Sequence, residues 1–144
     1  MSFRSTLVEM TSSLVIPTGT LTEVLWDVVV HDTASAWQAD SVGLILVPDN
    51  AAWVQLSANL SWDGTLASDD LWMEFRKNGA NFAGNCGFMR ESTALTNEQS
   101  NLLSAPVQVT SGDYFSLHAW HNKGSDQNIR GPANATWFGM ELIQ

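Results

Sequence analysis

The chain has one cysteine, one tyrosine, four prolines and only six lysines and arginines among 144 residues. The scarcities of cysteine and of basic residues each close a class. A single thiol, Cys86, cannot form an intrachain disulfide, so a small scaffold stapled by disulfides is excluded. Cys86 lies in Gly84-Asn85-Cys86-Gly87 with no base beside it, and it reads as an inert thiol rather than a nucleophile. Six basic residues face fifteen acidic ones, for a net charge of −9, and no basic run breaks the balance. Such a surface repels polyanions, which argues against nucleic acid and anionic membranes as partners. No stretch approaches the ~18 apolar residues of a membrane-spanning helix. The opening Met1-Ser2-Phe3-Arg4-Ser5 leads into no long apolar run, so no signal peptide is expected. Heptads and Gly-X-Y repeats are missing, which excludes a coiled-coil or collagen stalk.

Catalytic and metal patterns are also missing. His118 and His121 are three apart, which in a strand sends them to opposite faces and makes no metal pair. His31 stands alone beside Asp32, and Asp69-Asp70 lacks the spacing of a calcium loop. There is no Gly-x-Ser-x-Gly elbow and no phosphate-cradling glycine loop. The expectation is a chain with no catalytic residue, cofactor or metal.

What is present is apolar and aromatic. The sequence is 44% hydrophobic, with seven Trp and six Phe. That composition demands a core and argues against disorder. The clearest pattern is Ala52–Trp62, where Ala52, Val54, Leu56, Ala58, Leu60 and Trp62 alternate with Trp53, Gln55, Ser57, Asn59 and Ser61. A period of two is the mark of a strand with one buried face. Similar alternation predicts strands over residues 71–76, 114–120 and 136–143, and β-rich runs predict strands over 21–30, 42–47 and 105–110. Val24, Trp26, Val28 and Val30 are expected on one face. Asn78-Gly79 after the alternating run over 71–76 is a strong hairpin signal. Residues 81–90 read as a bent strand or bulged loop, 93–103 as a loop with an irregular turn, and 121–131 as polar loop. Residues 1–20, rich in Ser and Thr and ended by Pro17 and Gly19, read as an N-terminal arm or edge segment, leaving 21–144 as the domain. Short, evenly spaced strands without helices predict an all-β, antiparallel jelly-roll β-sandwich.

Three strands carry rings on both faces. Trp72 lies opposite Leu71, Met73 and Phe75; Tyr114 and Trp120 lie opposite Phe115, Leu117 and Ala119; Trp137 lies opposite Phe138, Met140 and Leu142. One face of each strand fills the sandwich. The rings on the other, each worth on the order of 2–3 kcal/mol if buried, need a second partner. Trp72, Tyr114, His118, Trp120 and Trp137 are therefore candidates for an interface between copies. Trp37 and Trp53 are weaker candidates for stacking on a sugar ring; the plain alternative for each is a Trp covering a sheet edge.

The order of three segments resembles the C1q/TNF-like jelly-roll family. These are the strand ending in Asn78-Gly79, the run Val107-Gln108-Val109-Thr110-Ser111-Gly112-Asp113-Tyr114-Phe115-Ser116-Leu117, and the closing Trp137-Phe138-Gly139-Met140-Glu141-Leu142. The resemblance covers about residues 21–143. It implies about ten strands, a three-fold homotrimer and no catalytic residues. Free-standing domains of this type are similar to small bacteriophage virion surface proteins. The expected function is therefore a non-enzymatic, homotrimeric capsid decoration (cement) protein. It would bind the major capsid protein or another virion protein on the capsid exterior after synthesis in the host cytoplasm. A tail-fibre or receptor-binding adhesin with a host glycan as partner is the alternative, and a polysaccharide-cleaving jelly roll is a third.

Overall fold

A computed structural model describes residues 4–63, 65–66, 70–90, 95–96, 99–131 and 136–143. The strands among them are β1 (Ser5–Glu9), β2 (Leu14–Ile16), β3 (Thr22–Glu23), β4 (Val28–Asp32), β5 (Ile45–Leu46), β6 (Trp53–Asp63), β7 (Thr65–Leu66) and β8 (Asp70–Lys77). They continue with β9 (Cys86–Arg90), β10 (Leu95–Thr96), β11 (Gln99–Leu103), β12 (Val107–Gln108), β13 (Tyr114–His121), β14 (Gln127–Ile129) and β15 (Trp137–Ile143). No described residue is helical, and the strands are more numerous and shorter than the ten expected because several long strands have partners in pieces.

The larger sheet runs β2-β14-β6-β15-β1-β4, and β6 also pairs with β11 and β12. The smaller runs β3-β13-β8-β9, with β5 also on β13. A two-stranded ribbon joins β7 to β10. All named pairings are antiparallel, as the short connections require. The two sheets close over one core. Val54, Leu56, Ala58, Leu60 and Trp62 of β6 and Phe138 and Met140 of β15 meet Leu71, Met73 and Phe75 of β8 and Phe115 and Leu117 of β13. Phe75 and Phe138 stack across the gap with centroids 5.5 Å apart. The alternation that marked β6 in the sequence is this core face.

Asn78 and Gly79 form the expected tight turn. Both have positive φ, 52° and 77°, and Lys77 and Ala80 exchange backbone hydrogen bonds of 2.9 Å. Two such residues in succession suit the right-handed twist of a hairpin, and Asn-Gly adopts them at least cost.

The arm-or-edge reading of residues 1–20 divides. β2 is the edge strand, but β1 is interior: it pairs with β15 on one side and β4 on the other, and Val8 and Ile16 are fully buried. Residues 5–16 are thus part of the sandwich. The single strand expected over 21–30 is two. β3 belongs to the smaller sheet and β4 to the larger, and the chain crosses the core between them. The pleat restarts at the crossing. Val24 and Trp26 therefore plug the core while Val30 faces solvent, against the expectation of one common face. The region read as a loop over 93–103 contains β11, a full five-residue strand on β6. The polar stretch 121–131 contains β14, whose Ile129 is buried.

Candidate functional site

The outward face of the smaller sheet is built on β13. Alternation sends Phe115, Leu117, Ala119 and His121 inward and Tyr114, Ser116, His118 and Trp120 outward. Register with β8 then sets Trp72 opposite Trp120, Glu74 opposite His118 and Arg76 opposite Ser116. On the other edge β3 brings Glu23 opposite His118, and β5 brings Leu46 opposite Tyr114. His118 thus lies in a cross-strand row between two glutamates.

Glu74 is only 5% exposed. A buried carboxylate is costly unless paired and hydrogen-bonded. Its Oε1 accepts from Arg76 Nε at 2.6 Å and its Oε2 from Trp72 Nε1 at 3.0 Å. This brace holds the guanidinium against the sheet. His118 Nδ1 is buried and has no hydrogen-bond partner among the described residues. Burial, seconded by the positive Arg76, holds its pKa below the ordinary 6.5, while Glu74 pulls the other way. The ring is neutral at pH 7. Beside this face the 40–44 loop and β3 enclose a groove of about 510 Å³. Glu23 lies across Gly43, where a Cβ would stand 2.5 Å from Glu23 Oε1, so a larger residue there would make the exposed carboxylate swing aside.

The larger sheet has a different outward face. One row crosses it from Leu103 through Ser57, Gly139 and Leu7 to His31, and the next joins Asn101, Asn59, Trp137 and Glu9. At one end Trp53 pairs with Ile143. Leu103, Trp53 and Ile143 are 65%, 43% and 38% exposed, and Leu7 and Trp137 are half-buried. Gly139 and Ser57 lack bulk, so the middle of the face sinks into a hollow of about 430 Å³ walled by Leu7, His31, Trp137 and Glu141.

No family model and no curated protein matches this sequence. Solved structures do match. Eiger TNF from S. frugiperda aligns at a TM-score of 0.66 and 10% identity over 100% of this chain and 94% of that one. Murine APRIL at pH 5.0 aligns at 0.67 and 12% identity over 99% of this chain and all of that one. The pH 8.5 structure of murine APRIL aligns at 0.65 and 11% identity over the same shares. The fold is a TNF-like jelly roll.

Within that jelly roll the five interface candidates do not form one patch. Trp72, Tyr114, His118 and Trp120 share the outward face of the smaller sheet, all partly buried, whereas Trp137 belongs to the larger sheet. The two sugar-stacking candidates are also apart. Trp37 packs against the core, bridges to Ile45 and gives its backbone N–H to Asp32 at 3.1 Å. Trp53 is exposed at the end of β6. His121, on the inward face, is buried with Nε2 2.8 Å from the Ile16 carbonyl oxygen, so the two histidines do lie on opposite faces. Sequence reading passed over Glu74, Arg76 and Glu23. A charge two residues from another on a strand already read as alternating was the signal for the first two. Glu23 carries no local signal, because β3 reaches β13 only through the fold.

Proposed function

We propose that this chain is a non-enzymatic structural protein that assembles as a homotrimer through the outward face of its larger sheet. The single observation that carries the proposal is the set of uncovered apolar side chains there: Leu103, Trp53 and Ile143, continued by Leu7 and Trp137 around the hollow. Apolar side chains concentrated on one face favour a partner surface, and the C1q/TNF resemblance supplies the partner, two further copies. Symmetry bears on the choice of face. A closed three-fold ring needs both contact patches turned toward one axis. Patches on opposite faces of a sandwich would instead propagate an open head-to-tail chain. Trp137 is therefore retained as an interface residue, and the four residues of the smaller sheet are assigned to the outside of the assembly.

Capsid decoration is our reading of where such a trimer acts, with a shell protein as its partner. Its support is the likeness of jelly-roll domains of this type to small virion surface proteins, together with the acidic chain and its single cysteine. Light scattering after size exclusion tests the assembly. Three chain masses are expected, and Leu103→Asp combined with Trp137→Asp should release single chains with an unchanged β-sheet circular dichroism spectrum. A single-chain mass for the unmodified protein overturns the trimer. Incubation of the trimer with shells lacking decoration, followed by sedimentation, tests the location; failure to co-sediment removes it.

A further inference from the structure

Turned away from the proposed contact face is the groove over β13. We infer that it binds a neutral, polyhydroxylated ligand, the chemistry of a glycan segment. The inference rests neither on Trp37 nor on Trp53.

Size admits such a ligand: about 510 Å³ falls in the range of small-molecule sites, roughly 300–1,000 Å³. The walls are complementary in kind. β8 and β13 present donors, namely the Arg76 terminal nitrogens and the Tyr114 and Ser116 hydroxyls, none of which makes a hydrogen bond among the described residues. Across the groove stand Glu23 and Asp40, which only accept. A sugar hydroxyl both donates and accepts, and a row of them satisfies both walls at once. Leu25 and Val42 on the rim leave apolar surface exposed for the C–H face of a ring.

Charge decides against an anion. The groove region sets Arg76 against Glu74, Glu23 and Asp40, with His118 neutral, inside a protein of net charge −9. A phosphate, sulfate or carboxylate would meet a negative field there. Preorganisation favours binding over adaptation. The bond to Glu74, itself held by Trp72, fixes Arg76 before any ligand arrives, so little side-chain freedom is left to lose.

The test is an array of neutral, sialylated and sulfated oligosaccharides probed with the full chain. The best neutral binder is then titrated into the ¹⁵N-labelled protein. A neutral glycan should bind and shift the amide signals of Gly43, Ser116 and His118. Arg76→Lys, which keeps the charge beside Glu74, and Glu23→Gln, a substitution at an exposed position, should each weaken binding at least about tenfold, the worth of one charge-assisted hydrogen bond. The proposal is overturned if no neutral glycan binds, if acidic glycans alone bind, or if both variants bind as the parent does. The trimer's mass is measured separately, so failure here leaves the assembly reading standing.

Discussion

Asp113 ties two turns together. Its Oδ1 accepts from Asn78 Nδ2 at 2.7 Å, and its Oδ2 accepts from the Thr110 backbone N–H at 2.9 Å and lies 2.9 Å from Lys77 Nζ. Partial burial alone would raise its pKa. The bonds from Asn78, Thr110 and Lys77 outweigh it and lower the value to about 2 from an ordinary 3.8. The sign follows from linkage: the folded carboxylate binds its proton less readily than the unfolded one. Its stabilisation is therefore complete above about pH 4–5 and is lost as the pH falls toward 2. Asp113→Asn should lower the melting temperature by several degrees at pH 7, where charge-assisted bonds are lost, and by far less at pH 2.5. Parallel thermal melts at the two pH values check this; an equal loss at both assigns Asp113 a role that does not depend on its charge. His118 depends on pH in the same direction, since its folded pKa also lies below the unfolded value, although here it is the neutral form that the fold favours. Acidification below about 6.5 costs stability there because the unfolded ring takes the proton first.

At the scale of elements, the crossing between β3 and β4 gives the sharpest contrast. Val24 is fully buried and Val30 is 49% exposed, although both sit in one run of alternating apolar residues. Val24→Ala should cost roughly 2 kcal/mol through lost burial and the cavity left behind, and Val30→Ala no more than about 0.5 kcal/mol. Urea denaturation of the two variants measures both, and equal losses would mean that the run stays in one sheet. The same crossing explains what could be read from the chain. β6, β8, β13 and β15 were legible because each stays in a single sheet for seven or more residues, so the pleat writes itself onto the sequence. β4 was misread because its phase is reset by a change of sheet. β11 and β14 hide behind polar spacing, Gln99-Ser100-Asn101 in one and Gln127-Asn128 in the other, and their pairing with β6 is set by partners far away in the chain. The two-faced rings were visible as an excess. Their division between two opposite faces was not, because it depends on which sheet each strand joins.

For the whole molecule, the two outward faces differ in kind. The larger sheet carries exposed Leu103, Trp53 and Ile143, and the smaller carries the groove with its braced arginine and the exposed Leu25 and Val42 at its rim. Assembly that couples to folding makes stability depend on concentration by mass action. The melting temperature should therefore rise steadily over a hundred-fold increase in protein, and the Leu103→Asp, Trp137→Asp variant should melt lower and at one temperature throughout. Scanning calorimetry across that range decides it. A closed ring on the larger sheet would also carry three outward grooves, and weak contacts made in threes gain avidity without any stronger single contact.

β1 has β15 as one of its two neighbours, so the first described strand is held by the last. During synthesis β1 and β4 emerge early, yet the slot between β1 and β6 stays vacant until Trp137–Ile143 clears the ribosome. A chain without Trp137–Ile143 would therefore keep an open seam down its larger sheet, divided along the middle rather than narrowed at an edge.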